Sequence, residues 1–284
     1  MSESSANQAL IPGELREIAP AVKRLIAPNG GPMTGPGTNT YLFGEHELAV
    51  LDPGPADHDH LARIEAACAG RLRWILTTHT HPDHSPGAAP LARATGATLI
   101  GLAAPRHGPQ DRTFRPDVEP ADGWRLATGE FTLRAVHTPG HASNHVCWLL
   151  EGERMLFTGD HVMGGSTVVI GPPDGNMNAY LASLERLKTL GLAALAPGHG
   201  PVLDAPDDVV DALVHHRLGR EAKVVAAIDA HPGATRDTLL PVVYADTPAH
   251  LHALAAQSLQ AHLDRLVENG RARAEDGRYT LARG

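Results

Sequence analysis

Short apolar runs, separated by glycine, proline and aspartate turns, fill the first two thirds of the chain. Runs of four to six such residues indicate buried strands, whereas apolar residues that recur every three or four positions indicate helices. The pattern predicts strands at 22–26, 38–43, 47–51, 73–77, 99–102, 131–136, 146–150, 155–157 and 192–196, and helices at 61–68, 85–94 and 178–190. Residues 1–20 show neither pattern and are expected to form a loose lead-in. Alternating strands and helices in two similar halves predict an α/β sandwich, with two mixed sheets flanked by helices.

The pattern changes after Leu203, where helical periodicity takes over. Helices are predicted at 206–230, 236–244 and 248–268, with Thr235 as the N-cap of the second helix. Two short strands, 272–274 and 279–282, follow on either side of the turn sequence Glu-Asp-Gly. Three helices followed by a hairpin are the order of a winged helix. The sequence therefore predicts a catalytic domain over 1–205 and a small winged-helix-like domain over 206–284.

The most distinctive stretch of the chain follows the predicted strand at 73–77 and reads His-x-His-x-Asp-His. It places His79, His81, Asp83 and His84 on one tight loop, in which Pro82 prevents the strand from continuing. Imidazole and carboxylate groups suit zinc, and they also bind iron or manganese. Burying four such groups together without a cation would be costly. The loop is therefore a candidate metal site rather than a polar surface turn.

Three further candidate ligands occur downstream, each beside a glycine at the end of a strand-like segment. They are His141 in Pro-Gly-His, Asp160 in Thr-Gly-Asp and His199 in Pro-Gly-His-Gly. The separations along the chain are 141 − 84 = 57, 160 − 141 = 19 and 199 − 160 = 39 residues. Four ordered motifs of this kind are a much stronger signal than any single histidine.

In this set of motifs the chain resembles the metallo-β-lactamase-fold hydrolases. Within that superfamily, Gly37-Thr38-Asn39-Thr40-Tyr41-Leu42, the turn before His141, Gly159-Asp160, 165–169 and the winged-helix tail are similar to the beta-lactamase-like-protein-2 group. The resemblance covers nearly the whole chain. It implies the αββα sandwich of that superfamily, followed by the winged helix, and a metal-dependent hydrolase activity.

The resemblance also implies which residues hold metal, with two zinc ions per chain as the expected cofactor and iron or manganese as alternatives. One ion would be held by His79, His81 and His141, the other by Asp83, His84 and His199, and Asp160 would bridge them. Two metal ions about 3.5–4 Å apart make a bridging hydroxide available near neutral pH, which attacks a carbonyl carbon or a phosphorus.

Two residues are predicted to be catalytic, and one is predicted to support a ligand. The catalytic residues are Asp83, which is also in the ligand set, and His145, four residues after His141. His145 would act as a general acid or bind a substrate phosphate, unless it is a histidine on the outer side of a strand. Asp52, at a strand end, would accept a hydrogen bond from a metal-binding histidine, unless it only begins a turn.

Residues 105–123 form a long segment without periodicity, rich in proline, arginine and aspartate. Loops of this length in compact domains often line a binding site. The segment would then wall the substrate pocket, with His107, Arg112 and Arg115 as anion contacts. The alternative is a solvated crossover loop.

Three functions remain open from the sequence. The first is hydrolysis of phosphodiesters, chiefly in single-stranded RNA, because the resembling group includes an endoribonuclease. The second is hydrolysis of small thioesters, lactones or other esters, as in glyoxalase II. The third is a winged-helix binding protein with a structural metal site, but seven ligands for two metals leave open positions, which favours catalysis. A bridging aspartate at 160 makes antibiotic hydrolysis unexpected.

Charge and composition limit the range of expected binding partners and compartments. The net charge is −8, and 206–284 carries nine Lys+Arg and eleven Asp+Glu, a balance of −2. Winged helices that bind duplex DNA present a positive face, so duplex DNA is not an expected partner and the tail is expected to pack, to dimerise or to wall the active site. No apolar run has the length of a membrane span, and 1–10 has no signal-peptide pattern. Two cysteines, Cys68 and Cys147, lie in apolar segments and are expected to be reduced in the cytoplasm.

Overall fold

A computed structural model of the chain describes residues 10–282, so the predicted lead-in is tested only from Leu10 onward. Its first sheet has the order β1-β2-β3-β4-β5-β6. The strands are β1 (Leu15–Ala19), β2 (Val22–Ile26), β3 (Asn39–Phe43), β4 (Leu48–Leu51), β5 (Leu72–Leu76) and β6 (Thr98–Ile100). The first four strands are antiparallel neighbours, and β4, β5 and β6 are parallel. Helical crossovers join the parallel strands, which explains why these short runs are almost wholly apolar.

The second sheet has the order β12-β11-β10-β9-β8-β7. It consists of β7 (Arg125–Ala127), β8 (Thr132–His137), β9 (Val146–Leu150), β10 (Met155–Gly159), β11 (Ala194–Pro197) and β12 (Leu203–Asp204). Only β10 and β11 pair in parallel among these strands, and a helix connects them. The carboxyl ends of β10 and β11 therefore lie at the same edge of the sheet, and the chain places a candidate ligand just after each.

The core lies between the two sheets, where aromatic side chains from both inner faces meet. The Phe157 ring lies edge-on to those of Tyr41 and Phe43, with ring centroids 4.7 Å apart in each pair. Trp148 is fully buried, and its Nε1 donates to the backbone carbonyl of Thr77 at 3.1 Å. This bond ties the second sheet to the chain just before the His-x-His-x-Asp-His loop.

Helices cover the outer faces of both sheets. On the first sheet, α1 (His58–Cys68) and α2 (Ala88–Thr95) bury Ile64 and Leu91. On the second sheet, α3 (Met177–Leu187) buries one apolar face, as its helical periodicity predicts. The αββα sandwich expected from the sequence is confirmed. No helix within 10–282 has both the length and the apolar character needed to pass through a bilayer.

The C-terminal unit is a winged helix, as predicted. It contains α4 (Pro206–Ala230), β13 (Ala234–Thr235), α5 (Arg236–Val243), α6 (His252–Glu268), β14 (Ala272–Glu275) and β15 (Arg278–Leu281), with sheet order β13-β15-β14. Thr235 caps α5 by accepting the Thr238 N–H, which confirms the predicted cap. The boundary between 205 and 206 stays a prediction, although α4 begins at Pro206 directly after Ala205 in a left-handed conformation.

The C-terminal unit packs directly on the sandwich. Val210 of α4 and Ala261 of α6 belong to the same buried cluster as Tyr180 of α3. Asn178 Nδ2 also donates to Glu268 Oε2 at 2.7 Å. Helices α4 and α6 are thereby held beside the second sheet, so they can contribute side chains to a shared cavity.

The sequence pattern missed four strands, one of them the two-residue β13, and placed the start of α1 three residues too late. The segment Leu15–Ala19, expected to be part of a loose lead-in, is the edge strand β1, and it is only half-buried. Strands β7 and β12 have three and two residues, too few to show a periodic pattern. Helix α1 begins at His58 rather than at 61, because the Asp57 side chain accepts the His60 N–H and caps it.

A buried ion cluster in the winged helix makes its stability depend on pH. The Glu221 side chain is 4% exposed and pairs with Arg265 and Arg271. Burial alone would raise its pKa, but His262, Arg265 and Arg271 outweigh burial and lower the pKa to about 2. A lowered folded-state pKa means that this stability is present above pH ~4.5 and is lost as pH falls towards 2.

Glu221→Gln is therefore expected to lower the free energy of unfolding by about 2–3 kcal/mol at pH 7 and by much less at pH 3. Urea unfolding at both pH values measures the difference. Glu275→Gln makes the same charge change at an exposed position of β14 and should have little effect. Equal destabilisation by Glu221→Gln at pH 7 and at pH 3 would contradict the role of the carboxylate charge.

Candidate metal centre

The predicted ligands meet at one edge of the sandwich. His79, His81, Asp83 and His84 follow β5 on a loop whose turn is closed by the His84 N–H bonding to the His81 carbonyl at 3.0 Å. Asp160 directly follows β10, and His199 lies two residues after β11. His141 lies in the turn between β8 and β9. Strand ends and the turns between strands thus bring all seven predicted ligand residues together, although the first, His79, and the last, His199, are more than 100 residues apart in the chain.

The first group contains His79, His81, His141 and Asp160. His81 Nδ1 lies 2.9 Å from His79 Nε2 and 2.9 Å from His141 Nε2. Asp160 Oδ2 lies 3.6 Å from His141 Nε2. Three ring nitrogens and one carboxylate oxygen therefore converge within the reach of a single ion.

The second group contains Asp83, His84, His199 and again Asp160. Asp160 Oδ1 lies 3.3 Å from both His84 Nε2 and His199 Nε2. Asp83 Oδ2 lies 3.1 Å from His199 Nε2 and 3.5 Å from His84 Nε2. Because Asp160 directs one oxygen to each group, it has the geometry of a bridging ligand.

Acceptors outside the groups fix the orientation of three of the rings. His84 Nδ1 lies 2.9 Å from Asp52 Oδ2, His141 Nδ1 lies 2.8 Å from the Val169 carbonyl and His199 Nδ1 lies 3.2 Å from the Gly37 carbonyl. A carbonyl oxygen can only accept, so the Nδ1–H of His141 and of His199 donates, and each Nε2 keeps its lone pair for the group. Asp52 holds His84 in the same way.

Asp52 itself is fixed by three donors. Besides His84, it accepts the backbone N–H of Thr78 at Oδ1 and the Thr78 hydroxyl at Oδ2, each at 2.7 Å. The carboxylate is 2% exposed, and its backbone has a positive φ of 49°. Its contacts match the supporting role that the sequence suggests, and go beyond what a residue that only begins a turn would make.

Two glycines let the backbone approach the groups closely. A Cβ on Gly198 would lie 2.7 Å from His84 Cε1, so any other residue would push into the second group. Gly140 has a φ of +150°, and a Cβ there would lie 2.4 Å from Tyr180 Cα. The glycines beside His141 and His199 are therefore required by packing and by backbone conformation.

The residues fit a pair of dications. His84 Nε2 and Asp160 Oδ1 are buried without a hydrogen-bond partner in the described residues, which is costly unless a cation binds there. Burial lowers the pKa of His79 far below its usual value and that of His81 to about 3, so both rings are neutral. Burial also acts to lower the pKa of His84, but Asp83, Asp160 and Asp52 outweigh it and raise the pKa well above normal. The second group therefore attracts positive charge, as a metal site must.

His145 lies on the side of the groups that faces the protein interior, away from their open side. It is 1% exposed and does not border the cavity described below. Its Nδ1 lies 2.9 Å from the Thr138 hydroxyl, and its Nε2 accepts the backbone N–H of Asp160 at 3.2 Å. With both nitrogens engaged inside the protein, His145 is placed to position Asp160, and these contacts give no support to the predicted role of general acid or phosphate ligand.

Replacing His145 with alanine is expected to remove the acceptor of the Asp160 N–H and to lower kcat about tenfold, with a loss of stability of about 2–4 kcal/mol. The shape of the pH–rate profile should not change, because both ring nitrogens are hydrogen-bonded inside the protein and away from the cavity. His137→Ala, at the end of β8 opposite Val146 and outside both groups, is the control. Loss of one limb of the profile in His145→Ala would restore the general-acid role.

Both groups open onto a cavity of about 500 Å³ that the C-terminal unit helps to enclose. His81, Asp83, His141, Asp160 and His199 border it on the metal side. Apolar side chains from both parts of the chain cover much of its wall, among them Met33, Met163, Val168, Val169, Leu251, Leu254 and Ala255. A cavity of this size, with a largely apolar wall and polar groups that converge on it, is typical of a small-molecule site.

The long loop at 105–123 contributes only its tip to this cavity. Gly108 and Pro109 border it, whereas His107, Arg112 and Arg115 do not. Arg112 donates instead to the Arg106 carbonyl. The predicted anion contacts from this loop are therefore wrong for this cavity, and the basic side chains that do border it, Arg217 and Arg220, come from α4.

Comparison with known proteins agrees with this architecture. The family model of the metallo-beta-lactamase superfamily matches 33–199, and that of the beta-lactamase associated winged helix domain matches 235–279. The chain therefore belongs to the metallo-beta-lactamase superfamily, whose members are hydrolases, and it carries the associated winged helix.

Individual relatives narrow the position of the chain within that superfamily. A beta-lactamase-like protein 2 homolog from Caenorhabditis elegans is 31% identical over 265 residues, covering 90% of this chain and 87% of that protein. An atrochrysone carboxyl ACP thioesterase from Aspergillus fumigatus is 30% identical, covering 83% and 77%. The crystal structure of a beta-lactamase domain protein from Burkholderia ambifaria superposes with a TM-score of 0.79 at 21% identity, covering 98% of both chains, and supports the fold.

Proposed function

We propose that this protein is a binuclear metal-dependent hydrolase of small esters and thioesters, with zinc as the metal. The observation that supports it most directly is the position of the two ligand groups. They share Asp160 and open onto a largely apolar cavity of about 500 Å³. A structural metal site would be closed by its ligands, whereas these groups border a cavity that a substrate can enter.

His79, His81 and His141 would hold one metal ion, and Asp83, His84 and His199 would hold the other, with Asp160 between them. Iron or manganese would also suit these nitrogen and oxygen ligands. When bound, the ions would supply a hydroxide near neutral pH and would polarise the carbonyl group that it attacks. The relative named as a thioesterase favours the ester and thioester class for this chain.

The residues of the chain contribute orientation, charge and exclusion of water. Asp52 and the Val169 carbonyl hold the rings of His84 and His141 with their Nε2 atoms directed into the groups. Asp83 is the most exposed carboxylate of the groups, with a side chain 28% exposed, and borders the cavity. We therefore keep Asp83 as both a ligand and the catalytic carboxylate that faces the substrate.

The charges around the cavity favour a small ester over a nucleic acid. A groove that follows an RNA backbone needs several free cationic side chains and aromatic platforms. Here Arg220, which borders the cavity, is paired with Asp246 at 2.8 Å. Single-stranded RNA remains the second candidate, because metal ions attract phosphate and the sequence resembles a group that includes an endoribonuclease.

The test compares substrates of both classes on one preparation. Protein loaded with zinc, with its metal content measured, is assayed on acetyl and longer-chain thioesters, on p-nitrophenyl esters and on labelled single-stranded RNA, with Asp160→Ala as the control. Thioester or ester hydrolysis that Asp160→Ala lacks is the expected result. RNA cleavage without ester hydrolysis would overturn the proposal in favour of the nuclease, and no hydrolysis by protein that holds two metals would favour a structural site.

A further inference from the structure

Arg217 on α4 is a buried cation that borders the same cavity as the metal groups. It is 3% exposed. Its Nη2 donates to the Val168 carbonyl, and its guanidinium carbon lies 5.3 Å from the centre of the Tyr180 ring. Its Nε has no hydrogen-bond partner in the described part of the chain. The side chain is thus packed in place with unused donor capacity.

No carboxylate forms an ion pair with Arg217 among residues 10–282. Other arginines of the C-terminal unit differ from it in this respect. Arg220 pairs with Asp246, and Arg265 pairs with Glu221. Burying a cation without a counter-charge is costly, so a buried arginine is normally paired. An anion in the cavity would supply the missing partner.

The carboxylates near Arg217 are engaged with other groups: Glu221, one turn along α4, pairs with Arg265 and Arg271. His216 borders the same cavity beside Arg217 and Arg220 on α4, and these two charges add to burial in lowering its pKa. Asp83 and Asp160, the carboxylates of the metal groups, face His199 and His84. The remaining carboxylate that borders the cavity, Asp174, accepts the Ser143 hydroxyl at 2.6 Å and Gln110 Nε2 at 3.2 Å.

We propose that Arg217 binds an anionic group of the substrate, a carboxylate or a phosphate, while the scissile ester or thioester lies at the metal groups. The inference rests on the proposed function and narrows its substrate class to esters and thioesters that carry an anion away from the bond that is cleaved. A planar guanidinium with free donors suits carboxylate and phosphate oxygens, since it can donate two parallel bonds to them. The apolar wall of Val168 and Leu254 would cover the uncharged part of such a substrate.

The first measurement compares matched substrates on the zinc-loaded full chain. One arm pairs ω-carboxyacyl thioesters of N-acetylcysteamine, from four to ten carbons, with unbranched acyl thioesters of equal length. The other arm pairs coenzyme A thioesters with N-acetylcysteamine thioesters of one neutral acyl group. We expect kcat/KM to favour the anionic member at least about tenfold in one arm. A preference in the first arm would show that the anion lies on the acyl group. A preference in the second arm would show that it is a phosphate of the leaving group.

The second measurement repeats the comparison in Arg217→Gln. The ratio of anionic to neutral kcat/KM is expected to fall about 10- to 100-fold towards one, because the charged hydrogen-bond donor is gone. Lys223→Gln removes a positive charge from the same helix without touching the cavity, and should keep the wild-type ratio. A ratio near one in both arms for the wild type, or an unchanged ratio in Arg217→Gln, would overturn the assignment.

Binding gives a readout that does not need turnover. Calorimetry on non-hydrolysable thioether analogues, with and without the anionic group, should show the same preference in the wild type and its loss in Arg217→Gln. If no ester or thioester is hydrolysed but the analogues show the preference, the proposed hydrolase function fails and the anion site stands. If Arg217→Gln does not fold, Arg217→Lys is used. It keeps the charge and loses the planar fork, so a reduced but measurable preference is expected, and loss of the preference with the charge retained, or no change from the wild type in Arg217→Met, would overturn the inference.

Discussion

Asp160→Ala is expected to lower kcat/KM about 10⁴-fold and to reduce the bound metal from two ions per chain to one or fewer. Asp160 is the residue common to both groups, with Oδ1 at 3.3 Å from His84 Nε2 and Oδ2 at 3.6 Å from His141 Nε2. In the proposed two-metal arrangement, its loss would remove one ligand from each ion and the carboxylate charge that the two dications would share. Elemental analysis after dialysis and steady-state kinetics on the best ester substrate measure the two effects.

Asp174→Asn is the matched control for Asp160→Ala. Asp174 is a carboxylate that borders the same cavity but belongs to neither metal group, and its oxygens accept from Ser143 and Gln110. Its replacement should leave two metals bound and change kcat/KM less than about tenfold. If Asp160→Ala retained both metals and most of its activity, the bridging role would be wrong, and the two groups would have to act independently.

The sequence predicted which residues the fold brings together at this edge, because each candidate ligand lies in a local motif at the end of an apolar run. His79 to His84 follow β5, Asp160 follows β10 and His199 follows β11, so the strands that the pattern predicts also carry the ligands to one edge. The glycines at 140 and 198 were part of the recognisable motifs for a physical reason, since Cβ atoms there would overlap Tyr180 and His84. The predictions of the sandwich and of the winged helix followed from the same pattern of apolar positions.

Features that depend on contacts between distant segments could not be predicted in this way. Strand β1 has no fully buried residue, and its sequence lacks the apolar run that marked its neighbours. In the sequence, Arg217 cannot be distinguished from the other polar residues of a helix. Only the packing of α4 against the Val168 segment brings it to the cavity. The position of His145 behind Asp160 depends on how β9 and β10 pair, which a spacing of four residues from His141 does not reveal.

Asp52 is not a candidate ligand, but it supports residues that are, and its loss should therefore weaken metal binding. Asp52 belongs to neither group, but it is hydrogen-bonded to His84, which does. Its carboxylate is 2% exposed and accepts three hydrogen bonds at 2.7–2.9 Å. One of those donors is the backbone of Thr78, which precedes the whole His-x-His-x-Asp-His loop. Asp52 therefore fixes both the His84 ring and the start of the loop that carries four candidate ligands.

Asp52→Ala is accordingly expected to weaken binding of the second zinc ion about 10- to 100-fold and to destabilise the metal-free protein by about 3–5 kcal/mol. Chelator competition measures the zinc affinity, and urea unfolding in excess chelator measures the stability. Asp57→Ala is the matched control, because Asp57 caps α1 in the same connection and touches neither group, so it should cost about 1 kcal/mol and leave zinc affinity unchanged. Wild-type zinc affinity in a folded Asp52→Ala protein would show that His84 is held by the metal alone, and that the Asp52 carboxylate serves the fold and not the site.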